Sequence, residues 1–208
     1  MSGPIVSTTV AAFDFDGTLT RRDSVTGFLR RAGGTARLGR AVVHRAPLLV
    51  GVVLGRVERD RAKDALLTAT LSGRHVEHVD QVGARYAVEL RDRLRADVLA
   101  RLRWHQRQGH RTVIVSASLR PYLDPIAAWL GIDHVLCTEL QRDATGHLTG
   151  HIAGTNCRGP EKVARLQAWL GAAPDRCYAY GDSPGDRELL AWASDPLQVK
   201  RVRVAESP

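Results

Sequence analysis

Asp14 and Asp16 lie two residues apart, after the short apolar run Val10-Ala11-Ala12-Phe13 and just before Gly17 and Thr18. An unpaired buried carboxylate is costly, so two acids closing a buried strand make poor packing. They make sense beside a divalent cation with a reacting group docked against it. Mg²⁺ takes hard oxygen ligands, often one or two carboxylates together with substrate phosphate and water. The plainer alternative is a strand end with two solvated acids before a turn. Three later groups carry matching chemistry. Asp182 and Asp186 punctuate the turn Gly181-Asp-Ser-Pro-Gly-Asp186, which by itself also reads as a loop with two helix-capping acids. Ser116 ends the run Val113-Ile-Val-Ser116. Its hydroxyl, with the backbone N–H groups of Ala117 and beyond, can bind phosphate oxygens at a strand-to-helix turn. Lys162 follows Gly159-Pro160, one of only three lysines beside 27 arginines. A lysine in so arginine-rich a chain suggests that a compact point charge was needed there.

The elements that must position these groups follow from periodicity. Residues 10 to 13, Arg111 to Ser116, His134 to Cys137 and Cys177 to Tyr180 are compact runs suited to buried parallel strands. Pro121 to Leu130, Glu161 to Leu170 and Glu188 to Trp192 read as helices between or after them. Leu140 to Ile152, with Asp143 and Gly146 as turn signals, reads as a hairpin. Strands alternating with helices imply a doubly wound α/β core, in which ligands bind beyond the carboxyl ends of the strands. Asp14, Asp16, Ser116 and Asp182 all fall at such ends. Between residues 22 and 95 no alternating strand is found, only helical spacing. Asp23-Ser24 starts one helix that stops at Gly33-Gly34, Pro47 breaks a second stretch, and further helices cover about 58 to 71 and 75 to 108. The expected organisation is therefore an α/β core of residues 1–21 and 96–208, with an all-helical insert at 22–95.

Taken together, Asp14-Phe-Asp16-Gly-Thr-Leu-Thr20, Ser116, Lys162 and the 181–186 turn resemble, in order, the four motifs of the haloacid dehalogenase (HAD) superfamily of phosphohydrolases. The resemblance spans roughly residues 8 to 195 and is nearest to the phosphoserine-phosphatase-like members of subfamily IB. It implies a Rossmann-like core with a C1-type helical cap, and a Mg²⁺-dependent phosphomonoester hydrolase acting on a small phosphorylated metabolite such as phosphoserine. Asp14 would be the nucleophile, forming an aspartyl-phosphate. Asp16 would be general acid and then general base, with its backbone carbonyl on the metal. Asp182 and Asp186 would complete the metal site with Asp14, and Lys162 would balance the clustered negative charge. Gly17, Thr18, Ser116 and Ala117 would contact phosphate. Asp23 stands where relatives carry an acid that meets the substrate amine; a helix cap is the equal alternative. Gly185 departs from the asparagine common in relatives, and the chain after Ala193 offers at most one short strand where relatives continue further.

Composition narrows the other classes. The formal net charge is +8, yet the arginines are scattered and no basic block interleaves with aromatics, so nucleic-acid binding is not expected. Three cysteines without C-x-x-C spacing read as reduced, packed thiols of a cytoplasmic protein. Residues 1 to 9 lack the basic start and apolar core of a secretory leader. The most lipid-like stretch, Pro47 to Gly55, is too short to span a bilayer; it is expected to be a buried cap helix, without membrane contact. His75, His78, His147 and His151 lack a third ligand for zinc. Two other functions share these features: a phosphotransferase using the same intermediate, and a non-catalytic binding or membrane-peripheral protein. No feature of the sequence sets an oligomeric state.

Overall fold

A computed structural model describes residues 8–199 and 203–208; most of the stretch read for a leader lies outside them. β1 (Thr9–Phe13), β2 (Arg111–Leu119), β3 (His134–Thr138), β6 (Arg176–Gly181) and β7 (Asp195–Gln198) form one five-stranded sheet in the order β3-β2-β1-β6-β7. All its pairings are parallel. The apolar runs have the composition they do because both faces of the sheet are covered. Ala11, Phe13, Ile114, Tyr178 and Tyr180 face one hydrophobic cluster; Val10, Ala12, Val113, Val115, Cys177 and Ala179 face the other. The second cluster is closed by α8 (Pro160–Leu170) and α9 (Arg187–Trp192), through residues such as Leu166 and Leu189. The first is closed by α6 (Ala96–Arg107) and α7 (Arg120–Leu130) and runs on into the helical insert. The structure is thus the α/β, Rossmann-like parallel sheet with a helical cap that the sequence led us to expect.

The insert comprises α1 (Val25–Gly33), α2 (Thr35–His44), α3 (Ala46–Val53), α4 (Arg59–Leu71) and α5 (Val76–Leu90). A short 3-10 turn at Arg91–Arg93 then returns the chain to the core, where Arg95 N donates to the Leu19 carbonyl at 2.9 Å. Pro47 sits in the first turn of α3, where its missing N–H has no helical partner to lose. The hairpin β4 (Leu140–Arg142) and β5 (Leu148–Ile152) pairs antiparallel and packs on α4. Main-chain bonds tie it to the α4–α5 link, Gly73 N to Leu148 O at 2.9 Å and Leu148 N to Arg74 O at 2.8 Å.

One expectation is corrected. The stretch 47–55 is not a buried helix: α3 has no buried residue, and Val50, Val53 and Leu54 are 55%, 86% and 58% exposed. The reason is its place at the tip of the insert, where α2 and α4 make its main contacts. No helix among the described residues is long and apolar enough to cross a membrane. The short terminal strand is β7, parallel to β6 at the sheet edge.

Candidate functional site

The carboxyl end of β1 runs into a tight turn at Phe15–Leu19, closed by Thr20 N donating to the Phe15 carbonyl at 2.9 Å. Asp16 and Gly17 break the helical geometry inside it, and Gly17 has φ +83°. A Cβ at Gly17 would lie 2.3 Å from Asp182 Oδ2, so only glycine lets the first motif close against the fourth. The kink sends the two aspartates to different partners.

Asp14 joins a buried charge cluster. Lys162 Nζ, from the first turn of α8, donates to Asp14 Oδ1 at 2.7 Å and to Asp186 Oδ1 at 2.5 Å. Asp186 Oδ2 also accepts from Asp182 N at 3.2 Å, Ser183 N at 2.9 Å and Ser183 Oγ at 2.8 Å. Asp14, Asp182 and Asp186 each offer a carboxylate oxygen within 4.8 Å of the others. Three carboxylates around one ammonium make the cluster acidic on balance, in a site where Asp14, Asp186 and Lys162 are buried. An all-oxygen donor set with that charge fits a hard divalent cation such as Mg²⁺. Burial pushes the Asp14 carboxyl above its ordinary range, against the pull of Lys162 and with Asp186 adding to the rise. For Asp186, Lys162 and the Ser183 hydrogen bonds outweigh burial and hold the carboxyl low. Burial would lower Lys162, but Asp14 and Asp186 more than offset it and keep it protonated.

Asp16 is held apart from this cluster. Its Oδ1 accepts from Ser24 N at 2.9 Å and its Oδ2 from Ser118 Oγ at 2.6 Å. Burial, and next the charge of Asp23, push its carboxyl up to about 7, with the Ser118 and Ser24 bonds opposing. A carboxyl near neutrality can both give and take a proton. The Asp16 side chain is not among the three metal-competent carboxylates, so only its backbone carbonyl is left for the role implied by the resemblance.

Both sets face one cavity of about 720 Å³ between sheet and cap, lined by Asp14, Asp16, Gly17, Asp23, Ser116, Ala117, Lys162, Asp182 and Asp186. Thr18 is not part of that lining and its side chain is fully buried. Ser116 Oγ accepts from Ser118 N at 3.2 Å. Asp23 serves α1 as well as the cavity, since its Oδ2 accepts from Thr26 N at 3.0 Å; the two readings of this residue are compatible.

Several residues around the site escaped the sequence reading. Ser24 and Ser118 orient Asp16, and two serines in turn-rich contexts carry no distinguishing signal. Lys63 of α4 reaches across the cavity to the core, donating to the Ala117 carbonyl, to Asn156 Oδ1 at 2.7 Å and to Thr138 Oγ1 at 3.3 Å. Asn156 in turn donates to Asp60 Oδ1 at 2.7 Å. Burial pulls Lys63 down to about 8, against the attraction of Asp60. The scarcity of lysine that singled out Lys162 applies equally to Lys63 and could have found it.

A parallel sheet covered on both faces, with an acidic cluster at the carboxyl ends of its middle strands that fits a hard cation, defines an α/β protein with its site where such folds place their ligands. The chain belongs to the haloacid dehalogenase-like hydrolases, whose family model matches residues 11–191. It is 37% identical over 188 residues to protein CicA of Caulobacter vibrioides, covering 89% of this chain and 83% of CicA. A Bordetella pertussis protein of unknown function has the same fold, with a TM-score of 0.77 at 24% identity over 93% of this chain and 90% of its own. A substrate-bound phosphoserine phosphatase complex also shares the fold, with a TM-score of 0.62 at 17% identity over 95% and 92% of the two chains.

Proposed function

We propose that this protein is a Mg²⁺-dependent phosphomonoester hydrolase of the phosphoserine-phosphatase-like kind, working through a phosphorylated Asp14. The observation that carries the reading is the division of labour between two carboxylates two residues apart. Asp14 is clamped by Lys162 in the charge cluster, while Asp16 stands outside it, bonded to Ser24 and Ser118. A carboxylate oxygen of Asp14 attacks phosphorus, and the bond from phosphorus to the substrate alcohol breaks. Asp16 gives its proton to the leaving oxygen. It then takes one from the water that attacks the phosphoryl group, freeing inorganic phosphate and restoring Asp14. Asp14, Asp182, Asp186 and the Asp16 carbonyl are the residues that would hold Mg²⁺, which when bound supplies positive charge against the phosphoryl oxygens. Lys162 adds its own fixed charge. Ser116 contributes its hydroxyl, and Gly17, Thr18 and Ala117 backbone N–H groups, to phosphate, and Asp23 at the mouth suits a cationic group on the substrate. Residues 22–95 act as the cap that selects small substrates and excludes bulk water. Cys137, Cys157 and Cys177 are buried free thiols, which suits the reducing cytoplasm.

The test is phosphate release from a panel of small phosphomonoesters, phosphoserine included, with Mg²⁺ and with EDTA. Metal-dependent release is expected, with Asp14→Asn slowed at least ~1,000-fold on an unchanged fold. Release that ignores EDTA, or an Asp14→Asn variant that keeps most turnover, overturns the reading.

A further inference from the structure

We infer that the tip of the cap is a docking surface for an anionic phospholipid bilayer, a role beyond the hydrolysis proposed above. The first observation is the exposed apolar face. Val43, Val50, Val53 and Leu54 are 71%, 55%, 86% and 58% exposed. On α3, positions 46, 47, 50, 53 and 54 follow helical spacing, so Ala46, Pro47, Val50, Val53 and Leu54 share one side, all exposed.

The second observation is charge. From Ser24 to Val57 the chain carries six arginines and not one Asp or Glu. Arg31 and Arg37 are engaged within the cap, with Glu89 and with the Ala69 and Ser72 carbonyls. Arg40, Arg45 and Arg56 are exposed and make no ion pair among the described residues. Arg37, Arg40, His44 and Arg45 line a hollow of about 420 Å³ between α2 and α4, next to the start of α3, a place for phosphate head groups. An apolar strip flanked by arginines, on a segment without acids from residue 24 to 57, is the surface a helix shows when it lies in the interface of an anionic membrane. A second copy fits it worse, because joining two such faces would bring their arginines together. A nucleic acid would match the arginines and leave the valines in water.

The geometry links this surface to the main cavity. Leu49, Val52 and Val53 of α3 line the cavity that holds Asp14 and Lys162, so docking through α3 sets its mouth beside the lipid.

The test is co-sedimentation with sucrose-loaded vesicles of phosphatidylcholine alone and of phosphatidylcholine mixed with phosphatidylglycerol, at low salt. The wild-type protein is expected to pellet with the mixed vesicles only. A variant combining Val43→Asp, Val50→Asp and Leu54→Asp should lose this binding. One combining Arg40→Gln, Arg45→Gln and Arg56→Gln should bind roughly 100-fold more weakly, from the loss of three basic residues at the surface. Both should keep the wild-type circular dichroism, melting temperature and turnover of soluble phosphomonoesters. Asp14→Asn should pellet like wild type, so failure of the hydrolase reading leaves this measurement intact. Wild-type protein that stays in the supernatant with mixed vesicles overturns the proposal. So does equal pelleting of the triple aspartate variant, or a dimer in sedimentation velocity that this variant dissociates.

Discussion

Gly17 shows how much a single residue decides at this site. Its φ of +83° and the 2.3 Å approach of Asp182 to an added Cβ leave no room for a side chain. Gly17→Ala is expected to push Asp182 out of the cluster, at a cost of about 1–3 kcal/mol for the overpacked contact. Turnover should fall at least ~10-fold, and a Mg²⁺ titration should show a higher metal requirement. An unchanged titration would separate Asp182 from the metal. Asp14, Asp16, Lys162 and Asp182 were legible as residues because carboxylates and a rare lysine stand out at strand ends. Their partners were less so. That Asp16 leans on Ser24 and Ser118, and that Lys63 crosses from the cap, depends on contacts between residues 8, 102, 54 and 93 positions apart. Local spacing carries no trace of such contacts.

Among the elements, the strands and core helices were legible to within a few residues, because burial on both sheet faces imposes unbroken apolar runs. The shortfalls lie at ends and tips. β2 continues past Ser116 to Leu119 through an irregular register against β3, a detail set by the neighbouring strand. The apolar run of α3 promised burial and is exposed instead, since hydrophobicity records what a helix could bury and not whether anything covers it. The seat of the cap is firmer at its other end, where α5 packs on α7. A Cβ added at Gly83 would meet the Pro121 carbonyl oxygen at 2.2 Å. Gly83→Ala should therefore part these helices and destabilise the protein by about 1–3 kcal/mol, read as a lowered melting temperature. A melting temperature equal to wild type would show that the α5–α7 contact yields without cost.

On the scale of the whole molecule, one buried histidine ties stability to pH. His105 of α6 is fully buried, with Nε2 2.8 Å from the Tyr180 hydroxyl and Nδ1 2.8 Å from His110 Nδ1. Burial first, then His110 and Arg101, pull it from 6.5 down to about 3. The folded protein thus prefers the neutral ring. This contribution to stability is complete above 6.5 and drains away as pH falls towards about 3. Melting temperature should start to drop just below neutrality, before ordinary carboxylates titrate near about 4. His105→Gln should melt lower at neutral pH and show a flatter slope in that window. A slope identical to wild type would move the acid sensitivity to other groups.

What the sequence determined by itself was the alternation of strand and helix, the helical insert and the residue types at the strand ends. Each is written in local periodicity and in the cost of placing a charge where apolar residues run. The tertiary structure decided which of those charges meet. It brought Lys162 between Asp14 and Asp186, turned Asp16 away to Ser118, carried Lys63 over the cavity and left α3 uncovered at the tip. Those outcomes depend on distances between segments far apart in the chain, and only the packed sheet and cap bring such segments within reach of one another.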